Sequence, residues 1–139
     1  MEAVIVDSGV WYAMFDGRDG NHRAAQEKAE LLALLTVAVP WPIAYETLRT
    51  KFVRNAKALS QFEQFLKSPN VEFIPDDDFR LAAFELALDS SLRRLRPLSM
   101  VDCLIRLMID DTNTQVRYLA TFNVRDFSDI CARNRVEII

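Results

Sequence analysis

Histidine occurs once in these 139 residues, cysteine twice, glycine three times and proline five times. One His and two Cys cannot build a zinc finger or a disulfide framework. So few Gly and Pro exclude collagen-like repetition. A basic excess is missing too: 17 Lys and Arg against 20 Asp and Glu leave a net charge of −3. Indiscriminate coating of nucleic acid is therefore disfavoured. The N-terminal Met-Glu-Ala-Val-Ile-Val-Asp-Ser-Gly has an acid, no basic leader and a very short apolar run. Neither a signal peptide nor a membrane span is expected from it, and a reducing cytoplasm fits the cysteine usage. Also absent are a G-x-S-x-G elbow, a G-x-x-x-x-G-K-[ST] loop and a G-x-G-x-x-G fingerprint.

What is present is enough apolar residue (50%) for one well-cored domain spanning 1–139. Val4-Ile5-Val6 predicts a buried strand that empties into the turn Asp7-Ser8-Gly9. The turn cluster 16–21 precedes an expected helix over 22–35. Thr36 to Val39 predicts a second strand, and Pro42 starts a helix carrying Ile43, Glu46, Thr47, Thr50 and Val53. Further helices are expected over 56–66, after cap candidates Asp76 to Asp78, and over 100–110 behind Ser99. Strands are expected at 71–74, 116–121 and 136–139. This alternation predicts an α/β three-layer sandwich around a mostly parallel sheet of about four to five strands.

Ligands in such sheets lie beyond the carboxyl ends of the strands. Asp7 ends the first strand, Glu46 follows the second, and Asn123 and Asp126 follow the fourth. Asp102 interrupts a helix that is otherwise apolar almost all round. Each acid has a local explanation. Asp102 can complete a capping box with Ser99 and pair with Arg106 at i,i+4. Asp7 can close an Asx-turn, Glu46 can answer a helix dipole, and Asp126 can cap a helical turn. None of these explains why all four fall at one end of one sheet.

Ionised carboxylates about 4 Å apart repel by about 4 kcal/mol per pair at an effective dielectric near 20. A divalent cation makes such a cluster tolerable, and oxygen-only ligands select Mg²⁺ or Mn²⁺. The chemistry that follows is phosphodiester hydrolysis. His22 is expected as an exposed residue near a cap, and Cys103 and Cys131 as core thiols. Trp11, Tyr12, Trp41 and Tyr45 flank the first two acids and are expected to pack in the core rather than stack on bases. Two acid-free basic stretches stand out, one holding Arg49, Lys51, Arg54 and Lys57 and one holding Arg93, Arg94 and Arg96. They are either solvated faces or contacts for a substrate backbone.

Four motifs occur in order: V-I-V-D-S-G at Val4 to Gly9, P-I-A-Y-E at Pro42 to Glu46, L-S-M-V-D-C at Leu98 to Cys103, and L-A-T-F-N-V-R-D-F at Leu119 to Phe127. Together, over almost the whole chain, they resemble a PIN domain, and within that group the VapC-type toxins of bacterial and archaeal toxin–antitoxin pairs. The resemblance implies a PIN-like fold and an Mg²⁺- or Mn²⁺-dependent endoribonuclease acting on single-stranded RNA. By position Asp7, Glu46 and Asp102 match the first three metal-binding acids. In the T-x-[ND]-x-x-D pattern the fourth place lies between Asn123 and Asp126, and the charged Asp126 is taken as the fourth acid. Ser8 and Thr121 match hydroxyl positions that support the carboxylates or position water, with Asn123 beside them. The likeness further implies a homodimer formed through the helices nearest Ile43 to Leu66, and an antitoxin whose C-terminal segment wraps the toxin and blocks its acidic pocket. Arg49, Lys51, Arg54, Arg93, Arg94 and Arg96 are the candidate contacts to substrate. The competing readings are a PIN-domain nuclease of RNA processing that has no antitoxin and a non-catalytic scaffold that binds proteins.

Overall fold

The computed structural model describes residues 2–139. Five strands, β1 (Ala3–Val6), β2 (Thr36–Pro40), β3 (Val71–Ile74), β4 (Val116–Ala120) and β5 (Glu137–Ile138), form one sheet in the order β3-β2-β1-β4-β5. Every neighbouring pair is parallel, so the sheet is wholly rather than mostly parallel. Parallel strands need helical crossovers that cover both faces, and this is why β1 reads as an uninterrupted apolar run. Val4, Ile5 and Val6 are buried at the centre of the core.

The first crossovers supply α1 (Ser8–Phe15), α2 (His22–Gln26), α3 (Ala29–Leu32), α4 (Trp41–Thr47), α5 (Thr50–Val53) and α6 (Ala56–Leu66). The later ones supply α7 (Arg80–Leu92), α8 (Met100–Asp110) and α9 (Val124–Arg133). Right-handed crossovers running outward from β1 to β3 put α1 to α6 on one face. The return to β4 and β5 puts α7 to α9 on the other. Trp11 of α1 is fully buried against Phe15, Phe62 and Phe65, an aromatic cluster that fastens α1 to α6. Among the described residues no helix is long and apolar enough to cross a membrane.

Four local expectations fail. The helix expected over 22–35 is two short helices: of Ala24, Ala25, Ala29 and Leu32, which recur at helical spacing, only Ala25 and Leu32 reach the core while Ala24 and Ala29 stay exposed. The helix expected through Val53 breaks after Thr47, where Leu48 leaves helical geometry at ψ 36° and Arg49 is extended. Asp76 to Asp78 cap nothing: Asp76 is gripped by Arg80, and Phe79 stands at the start of α7 without a side-chain cap. His22 is half-buried rather than exposed, its Nδ1 donating to the Ala13 carbonyl at 2.7 Å.

A candidate acidic site at the strand ends

In the sheet order, β1 is followed on one side by β2 and β3 and on the other by β4 and β5. The crevice between β1 and β4 is therefore the topological switch point, where open α/β sheets bind ligands. Asp7 closes β1 there and Thr121 follows β4.

Asp7 has extended geometry (φ −68°, ψ 150°) and caps α1, accepting from the Ser8 N–H at 2.9 Å. Its other carboxylate oxygen accepts from the Thr121 hydroxyl at 2.9 Å. The same hydroxyl accepts from the Asn123 N–H at 3.0 Å. Glu46 comes from α4, near the end of β2, and its carboxylate accepts from the Ser8 hydroxyl. The Tyr12 hydroxyl donates to the Glu46 carbonyl, tying α1 to α4. Asp102 lies in the first turn of α8, where its N–H donates to the Ser99 hydroxyl at 3.0 Å. Asp126 lies in the first turn of α9 and accepts from the Asn123 amide at 2.7 Å. Ser8 thus hydrogen-bonds two of the four acids, Asp7 and Glu46, while Thr121 and Asn123 hydrogen-bond one each.

The electrostatics show which acids share a neighbourhood. Burial, with the charges of Asp102 and Glu46 added, pushes Asp7 up to about 6 against the opposing hydrogen bonds of Thr121 and Ser8. Burial likewise raises Asp102, opposed by its hydrogen bonds to Ser99 and reinforced by the charges of Asp126 and Glu46. No cation figures among the leading influences on either group. The structure therefore brings acids from β1, α4, α8 and α9 to one edge of the sheet. They do not converge on a point: among the described residues no three His, Cys, Asp or Glu side chains are grouped closely enough to hold one metal ion.

The donor set nevertheless suits a hard cation. Mg²⁺ retains several waters and commonly uses only one or two carboxylates. Two desolvated carboxylates, each raised further by neighbouring acids and with no cation among the leading influences, have the chemistry such an ion satisfies.

The capping box read from Ser99 and Asp102 is present, so the local explanation of Asp102 holds in part. Its other half fails. Arg106 does not pair with Asp102 but with Asp129, through two bonds of 2.7 and 2.9 Å, and also donates to the Asp126 carbonyl at 2.8 Å. Arg96 joins this network through Asp129 at 3.2 Å. The sequence reading named Arg106 as the partner of Asp102 and missed Asp129, the acid that holds it. The available signal was an arginine one turn after Asp102 on a helix too apolar to leave it idle.

The six candidate substrate cations divide. Arg93 and Arg94 pair with Asp89, and Arg96 with Asp129, whereas Arg49 lies over the Tyr12 ring at 4.3 Å. The aromatic expectation divides as well. Trp11 is core, but Trp41 and Tyr45 are exposed, with Trp41 stacked on Phe73. Cys103 and Cys131 are buried free thiols, and burial pushes Cys131 up to about 11.

Fold and site together define a PIN-like α/β domain with an acidic edge at its switch point. No family model and no curated protein matches the chain. Among solved structures, a chain of the VapBC2 complex from Rickettsia felis, crystallised with a DNA fragment from its promoter, matches with a TM-score of 0.63. The identity is 16%, and the match covers 97% of this chain and 96% of that one. At that identity the likeness establishes the fold.

Proposed function

We propose that this protein is an Mg²⁺- or Mn²⁺-dependent endoribonuclease and the toxin of a toxin–antitoxin pair. The observation that carries the nuclease reading is the pair Asp7 and Asp102: two desolvated carboxylates at the switch point, each raised, with no cation among the leading influences on them. Asp7 and Asp102 would hold the ion, with Glu46 and Asp126 beside them. When bound, the ion neutralises charge on the phosphate and lowers the pKa of the attacking water.

The chain's own part is to hold those oxygens ready. Ser8 and Thr121 orient Asp7 and Glu46, so the carboxylates need not reorganise when charge develops. In-line attack by water forms a new P–O bond and breaks the P–O3′ bond. The proton ends on the 3′-oxygen, leaving 5′-phosphate and 3′-hydroxyl ends. The 2′-hydroxyl takes no part as a nucleophile.

The toxin assignment draws on the motif resemblance and on the fold shared with a chain of a VapBC complex. It brings a cognate antitoxin and a homodimer as partners. An apolar hollow of about 470 Å³ lined by Leu48, Val53, Leu59 and Leu66 supplies an unpolar surface in the region assigned to the homodimer.

Incubation of a single-stranded RNA with the protein and Mn²⁺ tests the catalytic reading. Wild type should cleave and Asp102→Asn should not, with both folded by circular dichroism. Equal cleavage by the two would return Asp102 to a capping role alone.

A further inference from the structure

Ion pairing divides the basic residues into two kinds. Arg93 and Arg94 are both ion-paired to Asp89, and Arg96 is ion-paired to Asp129, which Arg106 also holds. Arg49, Lys51, Arg54 and Lys57 form no ion pair among the described residues. These unpaired cations gather where the end of α1 faces the start of α6.

Three hollows that share wall residues lie among them. The first, about 70 Å³, has Tyr12, Arg49, Lys51 and Asn55 in its walls. The second, about 470 Å³, shares Lys51 and Asn55 and adds Arg18 and Arg54. The third, about 300 Å³, shares Arg18 and Asn55 and adds Lys57. Asp16 and Asp19 also line the walls, and Asp16 pairs with Arg18 at 3.3 Å. Five cations against two acids leave the groove positive in a chain whose net charge is −3.

The groove also has a defined start. Tyr12 stacks under Arg49 and donates its hydroxyl to the Glu46 carbonyl, so one side chain belongs to both the acidic edge and the first hollow. The eight residues of α1 span about 12 Å from that edge to Asp16. The Asn55 amide oxygen is occupied by the Ala58 N–H, which leaves its NH₂ free to donate.

We propose that this groove is the track for the backbone of a single-stranded polynucleotide leaving the acidic edge. Lys51, Arg54 and Lys57 neutralise successive phosphates, and the Arg93 to Arg96 loop takes no part. A line of cations along a run of hollows suits the flexible backbone of a single strand. Positively charged grooves that follow the backbone are how such strands are bound without sequence preference. That the strand is RNA rests on the nuclease reading above, but the test does not depend on catalysis.

Fluorescence anisotropy with a fluorescein-labelled single-stranded RNA, in EDTA and across a potassium chloride series, supplies that test. Single strands lose affinity with a salt slope of about −0.7 for each phosphate neutralised. Lys51→Gln with Arg54→Gln should weaken binding about tenfold at low salt and flatten the slope by about 1.4. Arg93→Gln with Arg94→Gln should stay within about twofold of wild type. Absence of RNA binding by wild type at low salt would overturn the proposal. So would a slope carried by Arg93 and Arg94, or a duplex bound as tightly as the single strand. RNA bound through the groove but never cut with Mn²⁺ would remove the nuclease reading and leave the groove standing.

Discussion

The Thr121 hydroxyl donates to the Asp7 carboxylate at 2.9 Å across 114 residues of chain, joining the carboxyl ends of β1 and β4. Both residues are buried, so this bond replaces water that the carboxylate cannot reach. It also couples the acidic edge to the sheet itself rather than to a loop, since Asp7 N–H in turn donates to the Ala120 carbonyl.

Thr121→Val keeps the shape and deletes the donor. Hydrogen bonds to charged groups contribute about 1.5–3 kcal/mol, and the Asn123 N–H loses its acceptor as well. A loss of about 2 kcal/mol is expected at pH 7. The loss should be smaller at pH 5, where much of Asp7 is protonated and carries less charge to stabilise. Urea denaturation at the two pH values checks both size and direction.

Asp7 gives stability an unusual pH dependence without metal. Its folded-state value of about 6 lies above the ordinary 3.8, so between those values the native state holds a proton that the unfolded state has lost. Stability from this group is therefore fully present below about pH 4 and falls as pH rises to 6, by about 3 kcal/mol. The difference between wild type and Asp7→Asn across this window isolates it. Without metal, Asp7→Asn should gain relative stability as the pH rises.

Asp129 acts with the opposite sign. The Arg106 guanidinium first, and Arg96 second, hold its carboxyl far below the usual carboxylate range. Its contribution is present above the unfolded value and lost as pH falls through acid. The Arg106 side chain is only 15% exposed but Asp129 is about half exposed, so Asp129→Asn should cost about 1–2 kcal/mol rather than the full cost of breaking a buried pair. Arg106→Lys keeps the charge without the two-pronged grip and should recover only part of the loss from Arg106→Met. Thermal denaturation at neutral pH resolves the series.

Leu95 occupies the left-handed region at φ 53° while its side chain is 84% exposed. Nothing is gained from the side chain there, and the backbone conformation is one that glycine adopts without penalty. Leu95→Gly should raise stability by about 0.5–1 kcal/mol and leave RNA binding unchanged. A drop in the melting temperature would mean that the exposed leucine holds the loop by a contact.

The central strand was readable because Val4 to Val6 sits in the middle of a parallel sheet, where burial on both faces demands an unbroken apolar run. The acids were readable for a related reason: strand ends in such a sheet have few functions for a carboxylate. Helix interruptions at Leu48 and Lys28 were not readable, since no Gly or Pro marks them and tertiary packing sets them. Nor was the choice made by Arg106. Two acids, Asp102 and Asp129, were within its reach, and the decision depends on how α9 packs against α8. The pairing of Arg93 and Arg94 with Asp89 was missed because the acid lies just outside the stretch that looked free of acids.

A Mn²⁺ titration of thermal stability, run on wild type and Asp102→Asn at pH 7, bears most directly on the shared-ion claim. At a concentration 100 times the dissociation constant, wild type should gain about 2.7 kcal/mol, while Asp102→Asn gains far less at the same concentration. Equal gains in the two proteins, or none in wild type at millimolar Mn²⁺, would contradict the claim that the acidic edge holds a hard dication.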